Sequence, residues 1–240
     1  MSPTGSGVTL VGMSGQPRVS RGVVRALIVA VVAATALLGF PGPASAHPNL
    51  ISNSPRDGSQ LSSGPSAIVV AFDEAVKLAP QGARIVNDKG AIVPSTVKLS
   101  NKNKTLTITP KKKLGKGMYA AAYNLFSVEG HFVPGAVAFT VATPTAKGSP
   151  LKLKPSPNVP TTLDGDRTGV RTITIATANK KGTVMWRGPG VGEPLVWQLK
   201  GNGSKATATG VLPIAGPWTF EADLSNADSV LIPRGTVTLK

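Results

Sequence analysis

Beyond residue 66 no stretch of the chain keeps a helical period. Apolar side chains come in short runs that stop at Gly, Pro, Asn or Ser, and several runs alternate with polar residues. "AIVVAFD" (67–73), "ARIVND" (83–88), "AIVPSTVKL" (91–99), "TLTITP" (105–110), "GMYAAAYNLFS" (117–127) and "GAVAFTVA" (135–142) form a first set. Such spacing admits an all-β sandwich or barrel of Greek-key, Ig-like type and little else. Pro94 inside the third run predicts an edge position, because proline cannot donate to a central ladder. Tyr119 and Tyr123 alternate with Ala121, so they share a face, read as core.

The texture then changes. Residues 143–166, "TPTAKGSPLKLKPSPNVPTTLDGD", hold five prolines and no convincing strand, which reads as a semi-extended linker. Residues 167–240 return to strands: "RTITIAT", "GTVMWRG", "PLVWQLK", "KATATGVL", "PWTFEADL" and "GTVTLK". This predicts a second small Ig-like β-sandwich. Trp186, Trp197 and Trp218 all fall there, where packing explains them better than a sugar-stacking face. With no cysteine in the chain, neither part can use disulfides or thiolate ligands.

Residues 1–46 read as an export signal. Arg18, Arg21 and Arg25 are its basic region, residues 26–40 its uncharged apolar run, and "ASA" (44–46) its cleavage site after two helix-breaking prolines. The apolar run falls short of the about 20 residues of a full span. An uncleaved signal anchor is the alternative. Cleavage after Ala46 makes His47 the first residue and delivers the chain to the periplasm or outer envelope.

Those three arginines take three of the fifteen net positive charges, leaving twelve on residues 47–240. Such a balance suits an anionic envelope surface. The lysines lie in turns such as "NKNKTL" and "PKKKLGKG" rather than in a tail, and the first reading of them is solvated turns. No aromatics interleave with them, so nucleic acid is not an expected partner.

The chain has two histidines. A free His47 offers an α-amine, with an ordinary pKa of about 7.7–8.0, and a ring nitrogen to one ion. His131 follows Glu129 across Gly130 in a turn that lets an imidazole and a carboxylate converge. Three nitrogens with a carboxylate or water in tetragonal geometry suit Cu(II) best. Pro48 has no amide proton, so copper at the amino terminus cannot recruit the next backbone nitrogen. Asp73 and Glu74 read as turn or surface acids rather than ligands.

"HPNLISNSPRDGSQL", "VVAFDEAVKL" and "GKGMYAAAYNLFSVEGHFVPGAVAFTV" together resemble the CopC copper-resistance family over about residues 47–142. The resemblance implies a Greek-key sandwich that binds Cu(II) in the envelope through His47 and His131, with Glu129 at the family's aspartate position. It also suggests a CopD-like membrane copper transporter as partner. Glutamate adds one methylene to that position. Met118 and Met185 are the only methionines after residue 46, too few for the family's methionine-rich Cu(I) loop.

The expected function is therefore a copper-binding protein of the envelope, involved in copper homeostasis or resistance, and not an enzyme. Two other classes compete. A structural or adhesive envelope protein would bind copper no better than any peptide histidine. A histidine-brace oxidase would need a broad, often aromatic, substrate face, and the first β region has few aromatics.

Overall fold

The computed structural model describes residues 48–178, 181–224 and 230–240, so the signal region and His47 lie outside the described residues. Among the described residues there is no helix. None is therefore long and apolar enough to cross a membrane.

Residues 50–141 form nine strands: β1 (Leu50–Ser54), β2 (Gln60–Leu61), β3 (Ile68–Phe72), β4 (Val76–Asn87), β5 (Ile92–Val93), β6 (Ser95–Ser100), β7 (Thr105–Pro110), β8 (Gly117–Ser127) and β9 (Phe132–Val141). One sheet has the order β1-β3-β7-β6. In the facing sheet β9, β8, β4 and β5 are neighbours, and β2 pairs with β9. Ile68, Val70, Phe72, Leu106, Ile108, Leu125 and Phe139 fill the space between them. Tyr119 and Tyr123 join this core, as their alternation predicts.

Two details differ from the sequence reading. β1 pairs with β3 but is exposed along most of its length, so it carries no apolar period to read. Pro94 does not lie within one edge strand. It separates β5, which pairs with β4, from β6, which pairs with β7 in the other sheet. The proline marks the crossing between sheets, where no ladder hydrogen bond is lost.

The stretch expected to be a linker carries two strands, β10 (Leu151–Leu153) and β11 (Thr161–Leu163). Both join β12 (Gly169–Ala176), β13 (Lys181–Arg187), β14 (Leu195–Asn202), β15 (Lys205–Leu212), β16 (Gly216–Asp223) and β17 (Arg234–Leu239). Antiparallel pairs run β10-β11-β12-β15-β14-β13-β16-β17. The series curls until its ends meet. Ser156 and Arg234 exchange backbone hydrogen bonds of 2.8 and 3.0 Å, and the Thr168 N–H donates to the Lys240 carbonyl at 3.0 Å. The prolines of 143–166 stopped the strands short without abolishing them. Three-residue ladders between prolines are too brief to show alternation.

The two β units share a core. On β8, Ala120 and Ala122 face away from Tyr119 and Tyr123, and they join Val86, Ala136 and Ala138 in packing against Trp186, Trp197 and Leu195. Small side chains on this outer face let a second layer approach, so β8 is buried on both faces. Backbones approach closely at two places: a Cβ at Gly58 would stand 3.2 Å from the Gly210 Cα, and one at Gly190 would stand 2.9 Å from the Gly90 Cα. A buried polar rivet crosses the same junction. Arg84 donates to Glu193 at 2.9 and 2.6 Å and to the Val191 carbonyl at 2.7 Å, and Asn124 donates to Glu193 at 2.5 Å.

Candidate metal site

β8 ends at Ser127 and β9 starts at Phe132, so Val128–His131 is a tight hairpin turn. Ser127 organises it. Its N–H donates to the His131 carbonyl at 2.8 Å, its carbonyl accepts from Gly130 at 3.1 Å, and its hydroxyl accepts the His131 N–H at 3.0 Å. Gly130 sits at φ +90°, a conformation that L side chains rarely adopt. A Cβ there would meet nothing within 4 Å, so the backbone alone requires the glycine.

The turn brings two of the expected donors together. The Nδ1 of His131 lies 3.8 Å from the Oε2 of Glu129. Both stay open to solvent, with side-chain exposures of 48 % and 64 %. Among the described residues no group of three or more His, Cys, Asp or Glu side chains is close enough to hold an ion. The described chain thus supplies an imidazole and a carboxylate, and the remaining expected ligand, His47, lies just outside it.

The path of the chain toward His47 is fixed by a contact that sequence reasoning missed. The Asn49 N–H donates to Asp73 Oδ1 at 2.7 Å, and the Asn49 side-chain amide donates to Oδ2 at 2.8 Å. In return the Asp73 N–H donates to the Asn49 carbonyl at 3.1 Å. Both carboxylate oxygens are used, and these hydrogen bonds, the side-chain one first, hold the Asp73 carboxyl below its ordinary range. Pro48, one residue further out, is buried. Lys104 adds a clasp from the next turn, its Nζ donating to the Asp73 carbonyl at 2.6 Å. The available signal was "FDEAV" at a strand end, where an acid can bind a neighbouring backbone, but nothing in the sequence named Asn49 as its partner.

Asp73 and the Glu129 turn share one end of the sandwich. Val76, three residues after Asp73, pairs with Ser127 at the base of the turn. His47 is two residues from the clamped Asn49, within about 7 Å of chain. The turn is flanked by exposed apolar side chains, Val128 and Phe132, and Phe132 packs edge-on against Phe126 with ring centroids 4.6 Å apart.

Residues 50–142 match the family model described as the CopC domain. The chain is 30% identical over 105 residues to a copper resistance protein C of Pseudomonas syringae pv. tomato, across 41% of this chain and 82% of that protein. It is also 30% identical over 108 residues to the copper transport protein CutJ of Bacillus subtilis (strain 168), across 44% of this chain. It spans only 20% of that relative's length. Among solved structures, CopC from Methylosinus trichosporium OB3b is similar, at 26% identity over 40% of this chain and 93% of that one, with a TM-score of 0.35.

Proposed function

The chain belongs to the CopC family, and from that premise we propose that it is an exported Cu(II)-binding protein that captures, buffers or hands over copper in the cell envelope. Copper is its cargo. The observation that carries this reading is the convergence at one end of the sandwich: His131 and Glu129 side by side on one turn, with Asp73 clamping Asn49 beside them.

In this reading His47 contributes its α-amine and one ring nitrogen, His131 an imidazole nitrogen and Glu129 an oxygen. Nitrogen donors with a hard oxygen favour Cu(II) over softer or larger ions, and a carboxylate near the ion disfavours its reduction. Removal of residues 1–46 creates the amine, so the full donor set exists only after export. Pro48 keeps the following backbone nitrogen from competing. The protein binds rather than catalyses. Handover to a CopD-like transporter is supported by the Bacillus subtilis relative, a copper transport protein of which this chain matches one fifth.

The test is a Cu(II) titration followed by EPR on two proteins, one starting at His47 and one carrying a single extra alanine before it. Tight one-to-one binding with a nitrogen-rich tetragonal signal, lost on extension, is the expected result. Equal and weak binding by both would remove the site and leave a structural envelope protein.

A further inference from the structure

The first sandwich has two ends, and only one is occupied by the candidate metal site. β8 runs from Gly117 to Ser127, about 30 Å at the ordinary strand rise. Beyond Ser127 lies the Glu129–His131 turn. Before Gly117 lies the connection from β7, which holds Lys111, Lys112, Lys113 and Lys116. The turn from β4 to β5 ends at the same place, since Asn87 pairs with Tyr119, and it adds Lys89. All five lysines are exposed.

The connection from β7 is tied to the crossing that follows β5. The Lys111 N–H donates to the Pro94 carbonyl at 2.8 Å. Lys111, Lys112 and Lys113 rim a recess of about 450 Å³ whose other walls include Val93, Pro94, Leu114 and Tyr119. A third connection, residues 62–66, packs its Gly64 against Leu114 and carries no charge. Asp88 is the acid of this end. Among the described residues five ion pairs form, and none uses these lysines. Ile92, two residues before Pro94, is 66% exposed.

We propose that this lysine-rich end, with Ile92 at its edge, docks the protein on an anionic phospholipid surface. Five like charges crowded without partners repel one another, and an anionic surface turns that cost into attraction. The chemistry favours lipid over nucleic acid. The five cations are all lysines, with no arginine fork to grip a phosphate in two places. No exposed aromatic stands among them for a base to stack on, because Tyr119 is buried. Lysine stems with an exposed isoleucine suit the boundary between headgroups and acyl chains. Docked this way, the protein holds the Glu129–His131 turn about 30 Å from the lipid, facing the envelope space. The docking itself does not depend on the copper reading, because it uses the metal-free protein.

The test is co-sedimentation of the chain from His47 onward, which contains every strand found among the described residues, with phosphatidylcholine vesicles with and without phosphatidylglycerol. Expected is binding to the anionic vesicles alone, weakening as salt rises. The triple change Lys111→Gln, Lys112→Gln, Lys113→Gln should lower that affinity by about 100-fold, at about 1 kcal/mol for each lysine near the surface. Lys77→Gln, Lys98→Gln, Lys102→Gln removes the same charge elsewhere and should change it little. Ile92→Ser should weaken binding a few-fold at any salt. Binding that ignores phosphatidylglycerol overturns the proposal, as does equal loss in both triples. Tighter, triple-sensitive binding to duplex DNA than to the vesicles would reassign the surface to nucleic acid.

Discussion

In the first sandwich Glu129 and His131 stand half in solvent on a hairpin turn, whereas in the second Arg171 has no exposed surface and Glu193 almost none. At the Glu129–His131 turn the first unit exposes its charged groups to water. The second keeps charges inside, where each must be matched by a protein partner. Arg171 is the extreme case. Its guanidinium donates to the backbone carbonyls of Ala146, Arg167, Thr168 and Val170. It ties the proline-rich stretch to the start of β12 by satisfying carbonyls that no strand reaches. Burial pulls its pKa down against the opposing charges of Asp164 and Asp166. Arg171 thus serves folding, whereas the side chains of Glu129 and His131 stay open to solvent.

Arg171→Met should break that contrast most severely. Methionine fills similar volume but leaves four carbonyls without the donor they now share. We expect about 3 kcal/mol of lost stability in denaturant unfolding, the scale for removing one member of a buried polar network. Copper affinity of the molecules that remain folded should be unchanged. A loss below about 1 kcal/mol would mean that water replaces the guanidinium and that the contrast is shallower than the packing indicates.

The sequence revealed these regions unevenly. Alternation in β7 is plain and β3, β8 and β9 stand out as apolar runs, because each sends side chains into the first core. The lone pair of histidines and the "VEGH" turn marked half the candidate site, because a glycine between two donors is a local device. Three things were hidden. The small outward residues Ala120, Ala122, Ala136 and Ala138 look neutral until a second layer is seen to cover them. β10 and β11 are too short to alternate. The Asn49–Asp73 clamp joins residues 24 positions apart, and nothing local distinguishes a surface aspartate that holds a strand from one that holds water.

Between the units lies a group that pH can use to sharpen the comparison. The Asp57 carboxyl accepts the Ala138 N–H at 2.7 Å, and Gly58 beside it abuts Gly210 of the second unit. Burial pushes its pKa up to about 7, with the amides of Ala138 and Gly58 opposing. Its charge also adds to the burial that lifts Tyr123 to about 12. A carboxyl whose folded pKa is raised stabilises the fold below its unfolded pKa, and that contribution fades as pH climbs to the folded value. Stability should therefore fall by at most about 4 kcal/mol between pH 4 and pH 8 on this account, about 1.4 kcal/mol for each unit of the difference between the folded and unfolded values. In Asp57→Asn, which keeps an oxygen for Ala138, the thermal midpoint should vary less over the same range. An unchanged slope would place the pH dependence in other groups.

The smallest change to folding should come from Asp73, and it bears on function instead. Asp73→Ala removes both side-chain contacts to Asn49 but leaves the ladder between β1 and β3, whose Asn53↔Val70 and Ser54↔Val69 pairs are remote from it. The thermal midpoint should hardly move, since the carboxylate lies at the surface and does not support either core. The amino terminus, however, loses the anchor two residues from His47. A ligand that must be gathered before it binds costs the ion affinity, so Cu(II) binding should weaken by about tenfold, the lower end for outer contacts that orient a ligand. Asn49→Ala keeps the backbone half of the clamp and should weaken it less. Amide exchange at Asn49 separates the explanations. Faster exchange in metal-free Asp73→Ala, together with weaker copper binding, identifies Asp73 as a positioning residue. Weaker binding with exchange unchanged would show that its carboxylate acts on the ion directly, and that the site has one more oxygen than the Glu129 turn supplies.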